Sequence, residues 1–178
     1  HTRLRTVTGV QTCALPISIA AWDQLQATLS KAVLDQFGTN YRKELSKSKF
    51  PLDVPYFYQR DSKTGHGERS CQSSAIAMVL KYLNPSLIKD DDDYLNTVFR
   101  FGDTVSQAAQ KQALDYLHVK NKFLTNGSEQ DLIRILDLGY PVPIGILHKG
   151  NIQNPSGGGH YITLIGYDNE YFYVNDPF

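Results

Sequence analysis

Gly157-Gly158-Gly159-His160-Tyr161-Ile162-Thr163-Leu164-Ile165-Gly166-Tyr167 is the stretch that decides how the rest of the chain is read. Three glycines deliver a histidine to the first residue of an apolar, β-branched run, the pattern of a buried strand. Asp168-Asn169 is a hairpin signal, and a second strand over 170–175 ends in Asn175-Asp176-Pro177. His160 and Asp176 thus fall at the same end of neighbouring strands. An imidazole beside a carboxylate supplies two members of a nucleophilic catalytic set, and the candidate for the third is Cys71.

Working outward, Pro141 to Leu147 reads as another strand, joined to 160–167 by a glycine-rich loop. Ser128 caps a helix through Leu138, with Leu132, Ile135 and Leu136 inside and Gly139 ending it. Val119 to Leu124 suits a short strand. Thr104 to Tyr116 reads as a helix with Val105, Ala108, Ala109, Gln112 and Tyr116 along its faces. The acidic run Asp90 to Asp93 opens a further helix, carrying Tyr94, Leu95, Val98 and Phe99 and stopping at Gly102. That run lacks the alternating ligands and central glycine of a calcium loop; carboxylates at a helix N-terminus are favoured by its dipole. Ser70-Cys71 opens a helix whose buried stripe is Ala75, Met78, Val79 and Tyr82, ended by Asn84-Pro85. Before it lie a polar loop, Gln59 to Ser70, and the extended, proline-bearing segment from Pro51 to Tyr58. Helices followed by mostly antiparallel strands indicate an α+β domain.

Composition sets the outer bounds. A chain of 178 residues has room for one ordinary domain plus an appendage. Its 41% apolar and 20% charged content is that of a soluble globular protein. The formal net charge is zero, so there is no electrostatic case for nucleic acid or an anionic membrane. No apolar run approaches the ~18 residues that cross a bilayer.

At the N-terminus, Val7-Thr8-Gly9-Val10-Gln11-Thr12-Cys13-Ala14-Leu15-Pro16-Ile17 resembles a translated sequencing adapter, and residues 1–17 are expected to be non-native. The rival reading is a short signal-peptide remnant. Setting the stretch aside removes Cys13 and leaves Cys71 as the one genuine thiol, with no intrachain disulfide. It also removes Arg3 and Arg5, leaving 16 basic against 18 acidic residues. Residues 18–50 read as a helical extension or linker: Trp22, Leu25, Leu29, Val33 and Phe37 recur at helical spacing, and a polar helix fits 40–48. Residues 51–178 form the main domain.

A thiolate is the reactive form of cysteine, and the first turn of a helix, where Cys71 falls, favours it. His160 is placed to take the thiol proton and return it to a leaving amine. Asp176 can hold one ring nitrogen; Asn175 points to the opposite strand face. His66, His118 and His148 are competing histidines whose plainer reading is as surface or core residues. Gln59, upstream of Cys71, can donate with the Cys71 N–H to a developing oxyanion. A zinc site at Cys71 finds no ligand spacing of the usual form, and no cofactor is indicated.

Val54-Pro55-Tyr56-Phe57-Tyr58-Gln59, the run Ser70-Cys71-Gln72-Ser73-Ser74-Ala75-Ile76-Ala77-Met78-Val79-Leu80, Gly159 to Tyr167 and Val174-Asn175-Asp176-Pro177 together resemble the papain-like cysteine peptidases of the bacteriocin-processing, double-glycine type. The likeness is nearest to their free-standing bacterial and phage relatives. The resemblance implies Cys71 as nucleophile, His160 as base, Asp176 as orienter, Gln59 as oxyanion donor and a peptide substrate. It also implies further sheet strands beyond Phe178, so a C-terminally truncated domain is expected. Transporter-linked members carry the glutamine nearer the nucleophile and commonly a glycine after it. Here Gln59 is twelve residues upstream and Gln72 follows, which argues against cleavage of double-glycine leaders. A phage-type lysin that cuts peptidoglycan peptides, secreted or acting on the cell envelope, and an inert papain-like binding module are the alternatives. Oligomeric state and compartment are not legible.

Overall fold

The computed structural model describes residues 51–178 except Ile152 and Glu170, with the backbone alone at Gly150 and Asn151 and at Thr2–Arg5 and Gln11–Thr12. The helices expected over 18–50, and the adapter-like stretch apart from Gln11–Thr12, lie outside the described residues. The described elements are β1 (Thr2–Arg5), β2 (Gln11–Thr12), α1 (Cys71–Leu83), α2 (Asp91–Phe99), α3 (Gln107–Tyr116), α4 (Glu129–Asp137), β3 (Val142–Asn151), β4 (Asn154–Tyr167) and β5 (Tyr171–Asn175). The sheet is antiparallel throughout, in the order β1-β5-β4-β3-β2. The α+β class is as expected.

Alternation along β4 divides the core. Ile162 and Leu164 join Val142, Ile144, Phe172 and Val174 against Leu132, Ile135 and Leu136 of α4. Thr163 and Ile165 face the other way: Ile165 meets Val54 and, on α1, Met78, and the Thr163 hydroxyl donates to the Ala75 carbonyl at 3.0 Å. One sheet face therefore packs on α4 and the other on α1, so residues 162–166 of β4 are buried on both sides. α1 also turns Ile76, Ala77 and Leu80 toward Tyr94, Val98, Ala109, Ala113 and Leu114 of α2 and α3. It is thus the shared wall between a helical lobe and the sheet, which explains why its residues 72–80 are all buried.

Helix starts follow from capping chemistry. Ser128 and Asp131 form a reciprocal capping box on α4. Asp90 accepts from the Asp93 N–H at 2.9 Å, so the acidic run begins α2 as its dipole argument requires. Ser106 caps α3 by accepting from the Ala109 N–H. That start is three residues later than the sequence pattern suggested, and Val105 is consequently exposed.

Two further expectations need correction. Val119–Leu124 is not a ladder strand; only Lys122 makes an isolated bridge. The reason lies upstream. His118 takes a left-handed conformation (φ 57°), and Val119 N–H bonds back to Leu114 O at 2.9 Å, a helix-closing turn that redirects the chain. The glycine run is also not a loop before the strand. β4 begins at Asn154, and Leu147 pairs with Gly159, so Gly157–Gly159 lie inside a long β3–β4 hairpin and His160 sits in mid-strand.

Candidate active site

β3, β4 and β5 place His160 through a fixed register: Ile146 opposes His160, and Thr163 opposes Asn175. Residue 176 therefore emerges beside the imidazole just as β5 ends. The His160 Nε2 lies 2.7 Å from Asp176 Oδ1, with the His160 side chain only 14% exposed. Asn175 goes the other way: it is buried and donates to Val54 O at 3.1 Å. The Phe178 N–H, 3.0 Å from the same Asp176 oxygen, steadies the carboxylate.

With Nε2 engaged by Asp176, Nδ1 is the ring nitrogen left for the partly exposed Cys71, which acts on the ring together with Asp176. Burial alone would push the His160 imidazole down. The interactions with Asp176 and Cys71 outweigh it and raise the ring to about 9. Burial likewise pulls the Asp176 carboxyl up, but the bonds from His160 and the Phe178 N–H, with the charges of His160 and His148, hold it below the usual carboxylate range. At neutral pH the arrangement is imidazolium beside carboxylate.

Gln59 reaches the neighbourhood by a different route. Leu52 N–H bonds to Ile165 O at 2.7 Å and Gln59 N–H to Pro177 O at 2.8 Å, so the extended segment runs across the sheet toward the Asp176 end. There Gln59 enters a 3-10 turn, Gln59–Asp61, and is almost wholly buried. Its Nε2 donates to Gly67 O at 2.7 Å, leaving one amide hydrogen uncommitted, and its Oε1 is buried without a partner. Gly67 is required here, because a Cβ would come 2.5 Å from the Gln59 carbonyl oxygen. Gln72, next to Cys71, is also buried, with its Nε2 unpartnered.

Of the competing histidines, His66 packs its ring on Phe99 at 4.8 Å and His118 closes α3. His148 differs. The register shifts between Leu147 and Lys149, and at that irregularity the His148 ring stands edge-on to His160, 6.0 Å between centroids. Its sequence context reads as a surface or core histidine, although the Ile146–His160 pairing puts it only two residues from the register of His160. Asp91 and Asp92 were also undervalued. Asp91 accepts from the Ser74 hydroxyl of α1 and, mainly through burial, is pushed up. Asp92 accepts from the Ser62 hydroxyl and the Lys63 N–H, tying the Gln59 loop to α2. No local pattern announces these bonds, which span 17 to 30 residues.

Among the described residues no group of three or more His, Cys, Asp or Glu is arranged to hold a metal ion, and no helix is long and apolar enough to cross a membrane. A scan against family models matches residues 51–178 to the family described as Peptidase_C39 like. No curated protein and no solved structure matches the chain.

Proposed function

From the premise that the chain belongs to the peptidase C39-like family, we propose that it hydrolyses peptide amide bonds with Cys71 as nucleophile, His160 as base and acid, and Asp176 as orienter. What supports the reading is an imidazole held by Asp176 at 2.7 Å through Nε2, a ring that Cys71 also helps to keep protonated. A ring that stays protonated to about pH 9 holds a proton it can hand to a leaving amine.

The steps then follow. The Cys71 thiolate adds to the scissile carbonyl carbon, and the carbonyl π pair moves onto oxygen. That oxyanion is received at the head of α1 by the Cys71 N–H, with the remaining Gln59 amide hydrogen as the second donor. As the tetrahedral species collapses, His160 Nδ1 gives its proton to the leaving amine and an acyl-thioester remains. The now neutral ring removes a proton from water, the hydroxide adds to the thioester carbonyl, and the carboxylic product departs. Cys71 leaves as thiolate beside the regenerated imidazolium. Asp176 keeps its negative charge throughout and fixes the ring's orientation.

Within this proposal residues 51–178 are the peptidase domain. Hydrolysis of labelled casein by wild type and by Cys71→Ala tests it: the variant loses all turnover. Full activity in Cys71→Ala would overturn the mechanism. Running purified bacterial cell walls beside casein, with loss of turbidity as the signal, separates a protein substrate from peptidoglycan peptides.

A further inference from the structure

The head of α1 is held in an unusual way. Ser70 occupies the N-cap position, yet its side chain caps nothing; the hydroxyl donates instead to Gly67 O at 3.2 Å. α2, α3 and α4 all carry side-chain caps, so the helix that bears Cys71 is the exception among the described α-helices. The first turn of α1 therefore lacks the side-chain acceptor that anchors the other three helices. Something else must fix this turn.

That something is a closed set of buried bonds made sideways from the two serines after Cys71-Gln72. The Ser73 hydroxyl shares a 2.8 Å bond with Thr104 Oγ1 and accepts from Gln110 Nε2 at 2.7 Å. The second Gln110 amide hydrogen goes to Thr104 O at 2.7 Å, and Gln110 Oε1 accepts from the Tyr94 hydroxyl at 2.9 Å. Every polar atom of the Gln110 amide is thereby engaged, and Ser73, Thr104, Gln110 and Tyr94 are each no more than 1% exposed. Burial pushes the Tyr94 phenol up, so it remains a donor. One position on, Ser74 donates to the buried Asp91. Networks of this kind, fully satisfied, fix one arrangement of the groups they join.

We propose that Ser73, Thr104 and Gln110 are positioning residues for Cys71: their bonds, rather than a helix cap, hold the first turn of α1 so that the thiol meets His160 and the Cys71 N–H is presented to the oxyanion. The inference rests on the cysteine-peptidase reading and adds to it a role for residues 37 positions apart in sequence. None of the three touches substrate; each acts through Cys71.

The experiment follows alkylation of Cys71 by iodoacetamide in the full chain, reading the Cys71 peptide by mass spectrometry at pH 7. This probe needs no knowledge of the natural substrate. Wild type is compared with Ser73→Ala, Thr104→Val, the conservative Thr104→Ser and, as reference, His160→Ala, all at a temperature where circular dichroism shows them folded. The expectation is a drop of about tenfold in Ser73→Ala and Thr104→Val, with Thr104→Ser staying within about twofold of wild type. Ser73→Ala removes a single oxygen and carries the test if Thr104→Val does not fold. A network that merely stabilised the fold would, when cut, loosen α1 and leave Cys71 alkylation unchanged or faster, and that result overturns the proposal. His160→Ala distinguishes the two failures. If it slows alkylation while Ser73→Ala does not, the positioning role alone falls. If it leaves alkylation unchanged, the peptidase reading falls and takes the positioning role with it.

Discussion

α1 brings Cys71 to the site with no side-chain cap at its head, gripped from behind by serine bonds to Thr104, Gln110 and Asp91, whereas β4 brings His160 with a carboxylate already on its ring. The helical lobe fixes a backbone and leaves the reactive atom and its N–H groups open. The sheet fixes the side chain itself: register sets Asp176 beside the ring, and burial leaves His160 little freedom. Under the proposed function, the difference suits the two tasks. A nucleophile has to meet carbon and needs unoccupied donors around it, while a base has to keep one ring orientation through two proton transfers.

The comparison is broken most sharply at Asp176 and its neighbour. Asp176→Ala removes the bond that orients His160, and kcat should fall by about 10³–10⁴ with KM little changed. Asn175→Ala, one residue away on the other strand face, should keep kcat within about threefold and lower stability by about 1 kcal/mol through the lost Val54 bond. Steady-state kinetics and urea unfolding of the pair separate orientation from support.

Core truncation comes next. Leu136→Ala on the sheet side and Leu114→Ala in the helical lobe each empty a wholly buried site and should destabilise by about 2–5 kcal/mol in denaturant melts. Leu114 packs in the cluster that includes Ile76, Ala77 and Leu80 of α1, and Leu136 in the one that includes Ile162 and Leu164 of β4, so both changes should also lower activity per folded molecule.

A pH series sharpens the sheet half. His160 is raised in the folded state to about 9, so its contribution is complete below its unfolded value near 6.5 and is lost as pH climbs through 9. Asp176 is lowered, so its contribution is present above about 3.8 and disappears only as pH falls through its depressed folded value. Wild type minus His160→Gln in urea stability should therefore shrink between pH 6.5 and 9, by on the order of 2 kcal/mol. Taking the difference cancels Asp91, which shifts in the opposite direction from Asp176. A difference that grows over this interval would contradict the assigned sign. Smallest of all, Ser128→Ala dissolves the α4 capping box, remote from both reactive groups; it should cost about 1 kcal/mol and leave kcat unchanged.

Local chemistry explains what could be read in advance. Capping residues, apolar spacing and the Asn-Asp-Pro strand end are short-range signals, and from them the starts of α1, α2 and α4, the three C-terminal strands and the Cys71, His160 and Asp176 candidates are legible. What escaped was decided at long range or by one backbone angle. The Val119–Leu124 segment has strand composition, but a left-handed His118 closes α3 and sends it along a loop. The glycines look like a linker, yet cross-strand pairing draws them into β4. His148 comes to the His160 ring through the hairpin, and Gln110 to the helix of Cys71 across 37 residues. Neither carries a mark in its own neighbourhood.

The ion pair at the centre of this account is read most directly by the His160 ring itself. Titrating its Cε1–H resonance by NMR in wild type and Asp176→Ala should place the wild-type midpoint near 9 and the variant's clearly lower. A wild-type ring that titrates at an ordinary histidine value of about 6.5, unmoved by loss of Asp176, would contradict it.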